Sequence, residues 1–284
     1  MTTVIFCATM KTERMGYVLK IRHEDLIGSY EEKRKLVSEF DLMDDIFFAV
    51  VMEDPKACEY LLSKLLKKQI KVQKNKTQYS LKNIESHSVV LDALIEDEEH
   101  RLYDVEIQIS DTMDIPLRMR YYQAMLDSSY LNKGEDYKSL PETYIIFITA
   151  FDPLGRNKNY YEVKQYIDNT EIYDNRTHQL FFNTAVDDGT ELSELLQYLK
   201  YSEPGNNNFG ALSKAVNFYK VDEKGVEYMC DAVKEYANEQ RLKGRIEGNV
   251  KTVKNMLKEG ISLETALKCA ELDKETYEKY AENI

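Results

Sequence analysis

Residues 89–109, VVLDALIEDEEHRLYDVEIQI, decide how the rest of the chain is read. Two apolar-rich runs flank a charged break at residues 96–100. In the second run Tyr103, Val105, Ile107 and Ile109 point one way and Leu102, Asp104, Glu106 and Gln108 the other, the two-residue repeat of a strand. Asp92 lies inside the first run, where an unpaired carboxylate is costly if buried. Paired as a hairpin, the runs set Asp92 beside Glu106 at one end of a sheet, with Gln108 on the Glu106 face. Two carboxylates on adjacent strands are hard oxygen ligands suited to Mg²⁺.

The surroundings fit a protein built around that hairpin. The chain has 284 residues, 43% hydrophobic and 31% charged, a soluble globular composition with room for a large core. No apolar run reaches the roughly 18–20 residues that span a bilayer, and the N-terminus lacks the basic region of a signal peptide; Met15 offers a second start, so the first fourteen residues are of uncertain standing. The four cysteines stand far apart with no CxxC, and the four histidines form no HExxH. Zinc chemistry is therefore not expected, and free thiols in a reducing cytoplasm are. A net charge of −12 argues against broad coating of DNA. Residues 60–83 nevertheless contain no acid, and Lys64, Lys67, Lys68, Lys71, Lys74, Lys76 and Lys82 crowd into them, leading straight to Asp92.

Along the chain, a polar helix or tail is expected in HEDLIGSYEEKRKLVSEF. Acids at Asp41, Asp44 and Asp45 open a helix carrying Ile46, Phe47, Val50 and Val51. Asp54-Pro55 ends it and begins another to about Lys67. A short strand is expected at residues 70–73. After the hairpin, IPLRMRYYQAMLDSSYL reads as a helix with Pro116 in its first turn and Leu117, Tyr121, Ala124, Met125 and Ser128 on one face. YIIFIT, residues 144–149, is a strand buried on both faces. Residues 156–225 yield only a strand at 179–183, a helix at 192–199 and a loop at 204–208. From Val226 the pattern is helical, with Gly244 and Gly248 four apart, a stop at Gly260, and Ser262 and Asp273 as caps of two short helices. This order gives an α/β protein with helices covering a mixed sheet. The last unit resembles a helix-turn-helix but is acidic, which favours self-association or a partner-binding cap over groove reading.

Taken together these segments resemble the PD-(D/E)XK nuclease superfamily and, within it, the Rpn-type recombination-promoting nuclease and transposase family. The resemblance runs from about Asp41 to the C-terminus and is carried by LMDDIFFAVVMEDPKACEYLLSKLL, VVLDALIEDEEHRLYDVEIQIS, PLRMRYYQAMLDSSYLNKGEDYKSLPETYIIFITAFDPLG and the glycine-spaced last helix. It implies a restriction-endonuclease-like core (helix, three strands, helix, strand) over residues 38–225, after an N-terminal tail over 1–37 and before a C-terminal helical extension over 226–284. It implies a DNA endonuclease using Mg²⁺ or Mn²⁺, with Asp92 and Glu106 as metal-binding carboxylates and the carbonyl of Ile107 beside them. Gln108 falls where the superfamily name places lysine, and an amide supplies no positive charge. Asp45 matches an acid that completes the site. Arg118 and Tyr122 match a recurrent pair, Arg118 being able to clamp a phosphate, and Lys71, Lys74 and Lys76 become the approach for DNA. The rival reading is a nuclease fold without activity, serving as a nucleic-acid-binding or interaction module.

Overall fold

A computed structural model describes residues 28–81 and 89–281; Met15, Lys82 and most of the expected N-terminal tail lie outside these. Three helices come first: α1 (Tyr30–Ser38), α2 (Asp45–Val51) and α3 (Pro55–Leu65). Where HEDLIGSYEEKRKLVSEF is described it forms α1, fixed to the core by the buried Val37 and by a Ser29/Glu32 capping box. In α2 every residue after Asp45 is buried, so it crosses the interior. Asp54 caps α3 by accepting from the Lys56 amide.

Strands β1 (Val72–Leu81), β2 (Val89–Asp97) and β3 (Leu102–Gln108) follow, then α4 (Ile115–Tyr130) and β4 (Thr143–Thr149). Beyond them lie β5 (Tyr160–Val163), the ribbon β6 (Tyr166–Ile167) and β7 (Glu171–Ile172), and β8 (Thr177–Asn183). The six-stranded sheet has the order β1-β2-β3-β4-β8-β5. β4 runs parallel to β3 and β8 and is buried throughout, as YIIFIT requires; the outer pairings are antiparallel. The turn between β2 and β3 is organised by Asp97, whose carboxylate accepts from the amides of Glu99 and Arg101, from Arg101 Nε and from the Tyr103 hydroxyl.

Helices α5 (Glu191–Tyr201), α6 (Gly210–Val221) and α7 (Glu223–Lys258) then cover one face with α1–α3, while α4 covers the other. Short helices α8 (Leu263–Cys269) and α9 (Lys274–Ala281) pack on the far end of α7 around Val253, Ala266, Leu267 and Ala270. Gly260 ends the α7 segment with φ +83°, and Ser262 and Asp273 cap as their positions predict.

Four expectations are corrected. The strand placed at residues 70–73 is instead ten residues long, and the lysine-rich window forms most of it; an edge strand tolerates lysines, which shield its open side from other chains. Residues 156–225 contain three small strands and α6 beyond what the pattern showed. The face of α4 turned to the sheet is Ile115, Met119 and Leu126, whereas Leu117 is 59% exposed. A boundary at 226 would cut the core, because Val226, Met229, Cys230, Val233 and Ala237 of α7 pack into it.

Candidate active site

The β2–β3 ladder stops at the Ala93–Val105 pair. At the next rung the side chains replace it. The Asp92 amide donates to Glu106 Oε1 at 3.0 Å, and the Ile107 amide donates to Asp92 Oδ2 at 3.0 Å. Beside this point β2 changes face: Leu91 packs toward α4, Ala93 and Ile95 toward the other helices. Across on β1, Gln78 adopts φ +47° and its Nε2 lies 3.4 Å from Asp92 Oδ1. The strands part at the two carboxylates, which bridge them reciprocally. Asp92 stays half-buried, whereas Glu106 is 3% exposed.

The alternation of β3 sends Asp104, Glu106 and Gln108 beneath α4. Burial, and then the charges of its neighbours Asp104 and Asp92, push the Glu106 carboxyl well above its ordinary range. Asp104 is pushed up as well, first by burial. The helix answers with Arg118. Its guanidinium donates to Gln108 Oε1 at 2.7 Å and to the Tyr122 hydroxyl at 2.9 Å, lies 3.7 Å from Glu106 Oε2, and stacks over the rings of Tyr122 and Phe147. Gln108 is held at its other end too, Nε2 donating to the Ser110 carbonyl at 2.6 Å. Its amide therefore anchors Arg118 rather than facing outward.

Asp45, the first residue of α2, reaches the same neighbourhood. Burial, followed by the charges of Asp45, Asp92 and Glu239, pushes the Tyr236 phenol of α7 up to about 12. Tyr236 carried no motif, and only the packing of α7 on α2 brings it here. The lysines are placed differently from expectation. Lys71 pairs with Glu59 at 3.6 Å, Lys74 with Glu96 at 3.1 Å, and Lys76 lies over the Tyr79 ring. Lys68 turns inward to the Tyr144 hydroxyl. The run is thus not one free basic face, because acids from α3 and β2 meet it.

Among the described residues no group of three or more His, Cys, Asp or Glu side chains is arranged to hold a metal ion by itself. Mg²⁺ does not demand such a cage: it keeps several waters and is commonly held by one or two carboxylates together with substrate phosphate. Two convergent carboxylates, a surplus of buried negative charge and one partly shared guanidinium fit such an ion.

A mixed sheet with carboxylates on two parting strands, flanked by helices on both faces, defines a nuclease core of the restriction-endonuclease-like class. The chain belongs to the PD-(D/E)XK nuclease family: the model described as PD-(D/E)XK nuclease family transposase matches residues 48–198. The match contains Asp92, Glu106, Gln108, Arg118 and Tyr122 and leaves out Asp45 and the C-terminal helices. No curated protein and no solved structure matches the chain.

Proposed function

We propose that this nuclease is a divalent-metal-dependent DNA endonuclease acting in the cytoplasm, in recombination or element mobility. The observation that supports it best is the reciprocal bridge between Asp92 and Glu106 where β2 and β3 separate. Asp92 and Glu106, with the carbonyl of Ile107, would hold Mg²⁺ or Mn²⁺. When bound, such an ion supplies Lewis acidity, neutralising charge on the scissile phosphate and acidifying water.

The chain's own residues supply the rest. Arg118, fixed by Gln108 and Tyr122, provides the positive charge that lysine gives elsewhere in the superfamily, and a guanidinium presents a fork matched to phosphate oxygens. Asp45 adds negative charge beside Asp92. Lys76, the β1 lysine without a carboxylate partner in its printed contacts, and the neighbouring Lys71 and Lys74 guide the DNA backbone along the sheet edge. The two short C-terminal helices serve self-association.

Plasmid cleavage in Mg²⁺, with and without EDTA, tests the reading. The wild type nicks DNA and EDTA stops it, while Asp92→Ala and Glu106→Ala lose cleavage by at least about 1000-fold, as loss of an electrostatic centre entails. Equal residual activity in all three proteins would sink the site.

A further inference from the structure

Asp104 is the acid that neither the motif nor the bridge uses. It is fully buried, shares the β3 face of Glu106, and its strand partner Leu94 closes it from below. Neither of its carboxylate oxygens has a hydrogen-bond partner. Its nearest polar company is acidic, Glu106 and Asp92, with Arg118 the cationic neighbour. Two ionised carboxylates cannot bond each other, so the structure around Asp104 offers it nothing. A buried carboxylate left in that condition costs several kcal/mol, and an asparagine of the same shape would avoid the charge. Stability alone therefore does not account for an acid here.

We propose that Asp104 is a positioning residue of the cation site: its unscreened charge, set behind Glu106, holds the Glu106 carboxylate toward the gap between β2 and β3 and strengthens the pull on a divalent cation. This rests on the reading of Asp92 and Glu106 as cation-binding. Asp104 need not touch the ion. Groups behind metal ligands orient them, and their loss typically weakens affinity about 10–100-fold. The placement also explains why Arg118 approaches Glu106 only to 3.7 Å while bonding Gln108 at 2.7 Å. The guanidinium offsets part of the negative charge and leaves the remainder for the ion.

The test is Mn²⁺ binding to the full chain without DNA, read by loss of the free-ion paramagnetic resonance signal, with Mg²⁺ as competitor. Asp104→Asn is expected to weaken Mn²⁺ binding at least about tenfold while the metal-free protein melts at a higher temperature. Should the amide not fold, Asp104→Ser gives the same affinity reading. Affinity within twofold of the wild type, alongside loss of binding in Asp92→Asn, overturns the role of Asp104 and leaves the cation site standing. No uptake by the wild type overturns both.

Discussion

Arg118 concentrates the chemistry of the site in one side chain. Its guanidinium meets an amide oxygen, a phenol, a carboxylate and two aromatic faces. Truncation to alanine should lower the cleavage rate about 100-fold. Arg118→Lys should recover little of that, because an ammonium cannot span Gln108 and Tyr122 together. Full activity in the lysine variant would mean that charge alone matters. Asp97 permits a stability prediction on the same strand pair. Burial alone would raise its carboxyl, but bonds from the Arg101 backbone and side chain and from Tyr103 outweigh that and hold it below the ordinary range. A depressed folded value stabilises the protein above the unfolded pKa of about 3.9, and this is lost as pH falls through the folded value. Asp97→Asn should cost about 2 kcal/mol at neutral pH. The gap from the wild type should narrow below about pH 4 in urea titrations across pH.

At the scale of elements, the glycines of α7 separate two kinds of position. A Cβ on Gly225 would stand 2.0 Å from the Phe218 carbonyl oxygen, which is backbone of α6 and cannot turn aside. Gly225→Ala should force α6 and α7 apart and lower stability by about 3 kcal/mol, the upper range for overpacking. Gly244 and Gly248 face open space. Alanine at either should stabilise the helix by about 1 kcal/mol, measured by thermal melting. If chains associate through that seam, the same substitutions should weaken association instead. These contrasts also show what was legible. Asp92 and Glu106 could be read because strand alternation fixes which side chains share a face. The lysines of β1 hid a long strand, since an edge strand need not alternate cleanly. α6 begins at Phe209-Gly210 after Asn206-Asn207-Asn208, so its start carries loop residues and no side-chain cap. The sheet-facing side of α4 was misjudged because it is partly polar: Arg118 and Tyr122 belong there to answer buried acids that only the tertiary structure brings near. For the same reason Gln108 was read as facing substrate.

On the scale of the whole molecule, α7 joins two unequal apolar clusters. Its first half lies in the main core as far as Ala237, and its last turns meet α8 and α9 at Val253. Between Asn238 and Asn249 no residue of the helix is buried. A chain ending at residue 225 should therefore fail to fold cooperatively, while one ending at 245 should keep the sheet and its melting transition, as far-ultraviolet circular dichroism would show. The 36 residues of α7 extend about 54 Å at 1.5 Å each, compared with a radius of gyration of about 19 Å for a compact chain of this length. A particle with such a projecting rod drags more solvent and tumbles more slowly than a sphere of 33.2 kDa. In gel filtration the monomer will emerge early, at the volume of a larger globule, so self-association has to be judged by light scattering or sedimentation equilibrium, which weigh the particle without regard to its shape.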